Sequence, residues 1–490
     1  MVFSARHLLI VLGLMGIAVT GQPAQAEPTP EYTLQALVRR AKATNPAMDV
    51  ARAMLADYRA LFDRAYYGWT PTLKLEGVLA PLPERQLLRE CVAYDPADSR
   101  NLETGDGPGS LGRVFPCPGQ DVQTDEVITP DTDIGILLRT SARLTFPIYT
   151  FGKVRHGQTA ARAGIDVGEA SVDIARDELV FLVKQAYYGT QMTARALKVI
   201  KDGRKRMRKA KKDVQAELDK ESGRFTSNDL RKLVVQEADL EAAFHETMAL
   251  RETALAGVRL AAELPPGAPF RLDTERLEPV HIEERSTEAY VELAVESRPY
   301  LRAARAAVRA RTAQVSMATA NFFPDIALVG LFGYALGTTA PENPDPFAND
   351  PYNYLTWGVV LGANWTIDYA NLVSKHRRAQ AALAKQRAEY EALLQKTRLE
   401  VVQRASEVAR RQAEVSIRKT AVKASKGWLV SNSLNFGLGL VNTDQLLKSL
   451  VAYSRARLTY YRSIYEHNLA IARLSQLVGT ELAVPAPRDE

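Results

Sequence analysis

Two short stretches of this sequence contain residue types used in hydrolytic chemistry, and neither completes its motif. His245-Glu246 is the beginning of a zinc-protease helix, but position 249, where the second metal-binding histidine belongs, is Ala249. Ser110 lies among glycines, yet Pro108 stands where the nucleophile turn of an α/β-hydrolase needs glycine. The same cluster lacks the lysine of a phosphate-binding loop. We therefore predict no catalytic, cofactor-binding or metal-binding residues, and no enzyme.

The N-terminus has the features of a secretory signal. Arg6 supplies a positive charge, Leu8 to Val19 form an apolar stretch, and Ala24-Gln25-Ala26 is a small-x-small cleavage site. The apolar stretch is shorter than the ~20 residues that a membrane-spanning helix needs, which disfavours a membrane anchor. We expect residues 1–26 to be a signal peptide and the rest of the chain to be exported.

Both cysteines, Cys91 and Cys117, lie in the acidic segment 81–133. Because the chain is expected to be exported, we predict that they form a disulfide within this segment. Closing such a loop stabilises it by roughly 3–4 kcal/mol in the chain-entropy model. Two unpaired thiols are the alternative, and an oxidising compartment disfavours them.

The formal net charge is +6, and its most uneven feature is a basic run at 201–212 with eight lysines and arginines. Such a run can bind an anionic partner, but the interpretation we favour is the solvated face of a long helix. The run has no interleaved aromatic residues and lies in an exported chain, so we predict no nucleic-acid partner.

Four short segments are predicted to be strands, and they lie at about 72–80, 134–147, 325–334 and 355–367. Three of them alternate clearly between apolar and polar residues, which is typical of a membrane barrel with lipid outside and water inside. Ordinary half-buried strands alternate too, so a single strand is weak evidence. From this alternation we predict that four charged side chains face a barrel lumen: Lys74, Glu76, Arg139 and Arg143.

The number of strands constrains the assembly. Four strands cannot close a barrel, because the backbone groups of the outer edges would stay unpaired in lipid. The smallest single-chain barrels use about eight strands. If these strands cross a membrane, several chains must therefore share one barrel, and a trimer would supply twelve strands, four from each chain.

Long helices are predicted where proline is absent, at about 152–220 and 369–433, and each spans on the order of 100 Å. Apolar residues recur every seven positions in the second of them, which indicates packing along a coiled-coil seam. These residues are Leu394, Val401, Val408, Val415 and Val422. The same period is found in a predicted returning helix at about 443–478, at Val451, Leu458, Tyr465 and Ala472.

Each long helix is predicted to end in a turn that reverses the chain. The first turn runs from Ser222 to Asp229 and leads to a returning helix at about 228–262, with Ser227 or Asn228 as its N-cap. The second runs from Phe436 to Asp444, with Asn442 or Thr443 as the N-cap of the helix that follows. Gly437 and Gly439 permit the reversal of the backbone.

The order helix, strand, loop, strand, long helix, returning helix occurs twice. The same spacing separates Pro46 from Pro299 and Pro71 from Pro324, while the loop of the first copy, 81–133, is longer than that of the second, 335–354. These boundaries predict a first repeat at 27–264, a proline-rich linker at 265–287, a second repeat at 288–480 and a tail at 481–490.

These features together resemble the TolC-type outer-membrane efflux protein family, over about residues 31–480. The residues that carry the resemblance are Asn45-Pro46 and Arg298-Pro299, the aromatic-Pro breaks ending at Pro71 and Pro324, Phe146-Pro147-Ile148-Tyr149, Trp365-Thr366-Ile367-Asp368, and the glycine-leucine turn Phe436 to Asp444.

The resemblance implies a mainly α-helical fold, with long coiled-coil helices forming an α-barrel and four β-strands per chain. It implies a homotrimer with a twelve-stranded barrel in the outer membrane and a helical tunnel in the periplasm. Such channels work with a periplasmic adaptor and an inner-membrane pump, and export small molecules or proteins. The adaptor-contacting turn maps onto five residues: Gly437, Leu438, Gly439, Leu440 and Val441. The gate residues of the family match no motif here, and Lys419, Lys423, Asn432 and Asn435 are nearby polar candidates.

A periplasmic adaptor, or another exported coiled-coil protein, is the alternative interpretation. Adaptors have one helical hairpin flanked by β-rich domains. Two evenly spaced hairpins, each preceded by a pair of strands, favour the channel.

Overall fold

The computed structural model describes residues 30–83, 134–221, 225–340 and 350–484. In these ranges the helices span Leu34–Thr44 (α1), Pro46–Tyr66 (α2), Lys153–Asp219 (α3), Ser227–Ala261 (α4), Thr287–Ser297 (α5), Pro299–Ala320 (α6), Tyr369–Gly437 (α7) and Thr443–Val478 (α8). The strands span Glu31–Tyr32 (β1), Thr72–Pro83 (β2), Ile134–Tyr149 (β3), Arg271–Leu272 (β4), His281–Ile282 (β5), Asp325–Gly337 (β6), Tyr354–Asn364 (β7) and Ala483–Val484 (β8). None of the helices among the described residues has a stretch that is both apolar and long enough to cross a membrane. The expectation of a mainly helical chain with two very long helices and four main strands is confirmed.

Proline separates the helices that precede each strand pair. The sequence suggests one amphipathic helix before each pair, whereas the structure shows two, α1–α2 and α5–α6, separated at Asn45 and Arg298. Pro46 and Pro299 begin α2 and α6, because proline has no N–H to donate and its fixed φ suits the first turn of a helix.

The four main strands form one antiparallel sheet in the order β2-β3-β6-β7. The strands pair in unbroken register except at one bulge, where the pairing of β3 with β6 shifts between Pro147 and Tyr149. A proline cannot donate to the ladder, so a bulge at this position costs the sheet little. Among the described residues, no strand pairs with the outer side of β2 or of β7.

Several element ends differ from the sequence prediction. The strands β2 and β6 extend to Pro83 and Gly337 rather than ending near positions 80 and 334. The strand β7 ends at Asn364 rather than near position 367, and the indole N–H of Trp365 instead donates to the carbonyl oxygen of Phe322 at 3.2 Å. The helix α7 continues to Gly437 rather than ending near position 433. The ring of Phe436 is buried in a core, and this contact keeps the last turn helical.

The chain divides into two compact units, each built from separated stretches. Unit 1 comprises Met1–Asp49, Ala175–Tyr290 and Glu400–Glu490, and unit 2 comprises Val50–Ile174 and Val291–Leu399.

Unit 2 contains the main sheet and the first parts of the long helices. In it α2 lies very close to α3, because a Cβ on Gly168 would be 2.9 Å from the ring of Tyr58 and 3.3 Å from the Cα of Leu55. Only glycine permits this approach without displacing the neighbour.

Unit 1 contains the helical turns and a seam along α7 and α8. On α7 the predicted seam is correct, since Val401, Val408 and Val415 are buried. On α8 the prediction is correct for Ala472, which is buried, but the most buried seven-residue series lies one position earlier. Its buried residues at this spacing are Leu450, Ile464, Ile471 and Val478, whereas Val451 is 44% exposed. Arg457 occupies the remaining position of this series and donates to Asp202 of α3 at 3.0 Å.

The linker and the tail are attached to unit 1. The strand β1 pairs with β4 in parallel, and β5 pairs with β8 antiparallel, so short sheets hold both ends of the described chain to the stretch between the repeats. On α8, Asn468 accepts from the backbone of Val280 at 2.8 Å and donates to the carbonyl of Glu278 at 2.9 Å. The predicted linker is therefore an ordered part of unit 1.

Candidate functional site

The turn between α7 and α8 displays two leucines to solvent. Leu438 is 74% exposed and Leu440 is 72% exposed. Between them Gly439 has φ +83°, in the left-handed region that favours glycine. The amides of Leu438, Gly439 and Leu440 donate to the carbonyls of Leu434, Phe436 and Asn435 at 2.9–3.1 Å, which satisfies the last carbonyl groups of α7. The result is a turn with a hydrogen-bonded backbone and exposed leucine side chains.

The side chain of Asn442 caps α8, as the sequence predicts. Its oxygen accepts from the amide of Gln445 at 3.0 Å. Val441, the fifth residue assigned to the turn, is not displayed like the leucines, because it packs against the core below.

The turn between α3 and α4 is described from Phe225 onward, and its cap differs from the prediction. Thr226, rather than Ser227 or Asn228, is the N-cap of α4. It forms a capping box with Asp229, whose carboxylate accepts from the amide of Thr226 at 2.9 Å. The hydrogen bond from the Thr226 hydroxyl also lowers the pKa of Asp229.

An apolar core and an ion pair join the two turns. The rings of Phe225 and Phe436 lie 5.2 Å apart, centroid to centroid, and Phe436 is buried. The core around them is formed by Met207, Val214, Leu233, Leu429, Leu446, Leu447 and Leu450, which come from α3, α4, α7 and α8. Between the first turns of α4 and α8, Lys232 donates to Asp444 at 2.9 Å. This hydrogen bond raises the pKa of Lys232.

The polar gate candidates do not form one cluster. Asn432 donates to the carbonyl of Gln445 at 3.0 Å, which ties α7 to α8 within one hairpin. The backbone of Asn435 takes part in the turn. Lys419 and Lys423 are exposed and form no ion pair with any described residue. The structure of one chain therefore assigns no gate.

The four charged residues predicted to face a lumen lie on one face of the sheet. Lys74 is directly opposite Arg143, and Arg139 is opposite Val78, two residues beyond Glu76 on the same strand. Lys74 and Glu76 form an ion pair along β2. The guanidinium of Arg139 donates to the carbonyl of Pro351 at 3.0 Å.

The opposite face of the sheet is apolar and exposed in the single chain. Trp357, for example, is 80% exposed, and the set also includes Leu73, Leu75, Leu79, Leu144, Phe332, Leu355, Val359 and Leu361. A contiguous apolar face of this size marks contact with a membrane or a protein partner.

The other sequence candidates form no catalytic arrangement among the described residues. His245 is exposed and lies 3.9 Å from Glu241. No group of histidine, cysteine, aspartate or glutamate in the described ranges could hold a metal ion. Ser110, Cys91 and Cys117 lie outside the described residues.

The basic run on α3 is partly neutralised by the returning helix. Arg204 pairs with Glu241 at 2.7 Å and Lys211 with Glu237 at 2.7 Å. Other members, such as Lys201, Lys205 and Lys212, are exposed. This arrangement is the solvated face that we favour from the sequence.

Sequence analysis missed the residues that join the two turns. Nothing in the local sequence pairs Phe225 with Phe436, or Lys232 with Asp444, because each pair lies more than 200 positions apart. The usable signal is coarser: the two members of each pair lie at the turn ends of the two hairpins, although not at equivalent positions.

Long helical hairpins that follow pairs of antiparallel strands, twice in one chain, define the fold of the TolC-type outer-membrane channels. Solved structures of such channels are similar to this chain over nearly their whole length. The CmeC outer membrane channel of Campylobacter jejuni matches with a TM-score of 0.69 and 13% identity, over 92% of this chain and 86% of that one. The open state of the MtrE outer membrane channel of Neisseria gonorrhoeae matches with a TM-score of 0.66 and 17% identity, over 92% and 89%.

Part of the sequence also matches a family of outer-membrane efflux proteins. Residues 290–480 match the family model described as outer membrane efflux protein. Protein CyaE of Bordetella pertussis is 27% identical over 198 residues, a match that spans 40% of this chain and 40% of that protein. The second repeat therefore matches the outer membrane efflux protein family, and the fold of the described chain is similar to that of the solved outer-membrane channels.

Proposed function

We propose that this chain is one subunit of a trimeric outer-membrane channel that exports small molecules or proteins. The observation that carries the proposal is the main sheet, which combines an exposed apolar face, a charged face and two outer strands without a partner among the described residues. Backbone groups along a sheet edge are strong hydrogen-bonding groups, and they cannot remain unpaired in lipid.

Pairing β2 of one chain with β7 of the next would satisfy both edges. Three chains would then form a closed barrel of twelve strands, four from each chain. In this arrangement the apolar face, with Trp357 and Leu361, contacts lipid. The opposite face, with Lys74, Glu76, Arg139 and Arg143, contacts the water of the lumen.

The helical part would extend the channel into the periplasm, where it works with an adaptor and an inner-membrane pump. Nothing in the sequence has the pattern of a nucleotide-hydrolysing site, so the pump must supply the energy. We propose the turn Gly437–Val441 as an adaptor contact, because Leu438 and Leu440 are exposed on a turn whose backbone is hydrogen-bonded. An exposed leucine on a hydrogen-bonded turn can enter an apolar pocket without a large loss of conformational entropy.

Two further assignments belong to the same proposal. The duplicated order of elements divides the chain into repeats at 27–264 and 288–480, joined by the linker 265–287. The disulfide between Cys91 and Cys117 closes a loop on the extracellular side, and peptide mapping without reductant should recover the two cysteines as one linked pair.

The decisive experiment is purification of the exported chain from membranes in detergent, followed by mass determination and bilayer recording. The expected results are a mass of three chains and stepwise conductance in planar lipid bilayers. A matched variant, Trp357→Lys, places a charge on the apolar face and should reduce membrane assembly, whereas Thr356→Lys on the opposite face should not. A chain that stays monomeric and needs no detergent would refute the proposal.

A further inference from the structure

Within unit 1, the helix α3 carries a straight line of cationic side chains. Its members follow one another at spacings that alternate between three and four residues, so they share one face of the helix. The line extends over roughly 21 Å at the rise of an α-helix. We call it the α3 stripe, and it consists of Lys198, Lys201, Lys205, Arg208 and Lys212.

The α3 stripe lies on the side of the helix that faces away from the core. Met207 and Val214 recur at the same seven-residue period as the stripe, but they are buried in the core that joins the two turns. All five members of the stripe are exposed. The stripe is therefore a surface of unit 1 and takes no part in the packing of this chain.

Carboxylates near the stripe are engaged elsewhere. Glu241 and Glu237 pair with Arg204 and Lys211, each at 2.7 Å, and these two cations lie beside the stripe rather than in it. Asp202 accepts from an arginine of α8 at 3.0 Å. The members of the stripe form no ion pair with any residue that the structure describes.

The spacing of the stripe places like charges next to one another. Cationic side chains three or four residues apart on a helix repel each other. The stripe contains four such neighbouring pairs in succession. An anionic polymer laid along the stripe would offset this repulsion.

The surface of α3 around the stripe is poor in apolar contacts. From residue 183 to residue 219 no large apolar side chain of this helix is exposed. Protein partners usually bind through apolar or aromatic anchors, whereas a hydrated polyanion is attracted by a line of charges alone. The stripe therefore suits a hydrated polymer that carries anionic groups along its length.

We propose that the α3 stripe binds peptidoglycan through the free carboxylates of its stem peptides. The proposal rests on the proposed function in one respect, that the helical part of the channel lies in the periplasm, where this polymer is found. It adds a partner that is neither the adaptor nor the pump. Each chain of a trimer would contribute one stripe, and attachment at more than one of them would strengthen the binding.

The test uses the full chain, purified in neutral detergent, and insoluble peptidoglycan sacculi of a Gram-negative bacterium, stripped of bound protein. Co-sedimentation with increasing amounts of sacculi gives an apparent affinity. Coupling the carboxylates of the sacculi to ethanolamine removes their charge and should weaken binding at least about tenfold. Added salt should weaken binding to the untreated sacculi, because these charge pairs are exposed and therefore screened.

Charge-neutral variants locate the binding on the stripe. A triple variant should weaken binding about tenfold, because three exposed charge pairs are lost. Its substitutions are Lys201→Gln, Lys205→Gln and Arg208→Gln. The matched control removes three charges from exposed residues of α7 that point in different directions around that helix, and it should bind like the unmodified chain. Its substitutions are Lys375→Gln, Arg377→Gln and Arg378→Gln.

A smaller variant keeps the test valid if the triple variant does not assemble. The pair Lys201→Gln and Lys205→Gln should weaken binding about fourfold, since two exposed charge pairs are lost. Its control is the pair Arg377→Gln and Arg378→Gln, which should cause no measurable loss.

Three results would overturn the proposal. They are equal binding to untreated and ethanolamine-coupled sacculi, equal losses in the α3 and α7 variants, and tighter binding to phosphatidylglycerol vesicles than to sacculi that is lost in the same stripe variant. The last result would assign the stripe to anionic lipid. Bilayer conductance of each preparation is measured in parallel. Failure of the unmodified chain to conduct would refute the channel itself, whereas normal conductance without binding to sacculi would refute only the role of the stripe.

Discussion

Replacing Phe436 by alanine should loosen both helical turns together. Phe436 is buried, and its ring lies 5.2 Å from that of Phe225, centroid to centroid, with the ring planes tilted by 33°. Phe225 follows the other long helix. Truncating a buried phenylalanine to alanine typically costs 3–5 kcal/mol, which combines lost apolar transfer with the cavity that remains. The free energy of local opening at the turns should fall by the lower part of that range, about 3 kcal/mol, because solvent lies close to this end of the core.

Hydrogen exchange with mass spectrometry measures this opening directly. Each 1.4 kcal/mol corresponds to a factor of ten, so amides near Leu429 and Leu446 should exchange about 100-fold faster in Phe436→Ala than in the unmodified chain. The peptide that contains Leu233 should change in the same direction, although it belongs to the other hairpin. The sheet in unit 2 should exchange as before.

Two further variants sharpen the test. Leu440→Ala alters the same turn at a side chain that is exposed, so protection should not change measurably. The double variant of Phe225 and Phe436 should show a coupling of about 0.5–1.5 kcal/mol, the usual range for an aromatic pair. If Phe436→Ala loosens only its own hairpin, or if Leu440→Ala loosens the turns equally, the shared core does not hold the two turns together.

Three other predictions follow from the sheet, the turn and a buried histidine. Replacing Arg139 and Arg143 by glutamate should make the channel more selective for cations, which bilayer recordings would detect as a shift in the reversal potential. An unchanged reversal potential would show that these two residues do not face the lumen. Changing Leu438 and Leu440 to aspartate should abolish export in cells while the trimer still assembles in the membrane; normal export would exclude the turn as a docking site. Burial lowers the pKa of His467, so its neutral form stabilises the fold fully above pH ~6.5 and this contribution is lost as the pH falls. The melting temperature should therefore fall less between pH 7.5 and 5 in His467→Gln than in the unmodified chain, and equal falls would contradict this role.

Much of the fold could be predicted from the sequence, because local patterns control it. The alternation of residues 72–80 and 134–147 corresponds to the paired strands β2 and β3. The heptad of valines on α7 also identifies its buried side correctly, since the run is uninterrupted. These features depend on neighbouring residues alone.

The remaining features depend on residues that are distant in the chain. The buried series on α8 is displaced by one position from the prediction, because Arg457 interrupts it and is accommodated by Asp202 on α3. An arginine can occupy a seam position when its aliphatic carbons are buried and its guanidinium is paired. A search for apolar residues at that spacing would reject the position. The short strands β4 and β5 were not predicted for the same reason, since two-residue pairs with distant partners leave no periodic signal.

The candidate site was predicted in part. The glycine-leucine turn could be found because Gly437 and Gly439 are strong local signals, and its leucines are displayed as a contact surface requires. The core that joins the two turns could not be found, because Phe225 and Phe436 lie more than 200 residues apart in the chain. Only the packed structure brings Lys232 to Asp444.

The pairing of β5 with β8 has a consequence for the order in which the molecule is built. Unit 1 draws on the beginning, the middle and the end of the chain, and its last short strand, Ala483–Val484, pairs with His281–Ile282. A ribosome and a translocation pore deliver residues in sequence, so this unit stays incomplete until almost the whole polypeptide has emerged. For the exported chain that we propose, this would prevent folding of unit 1 before export. A truncation near residue 480 should be degraded even though every strand of the main sheet has already been made.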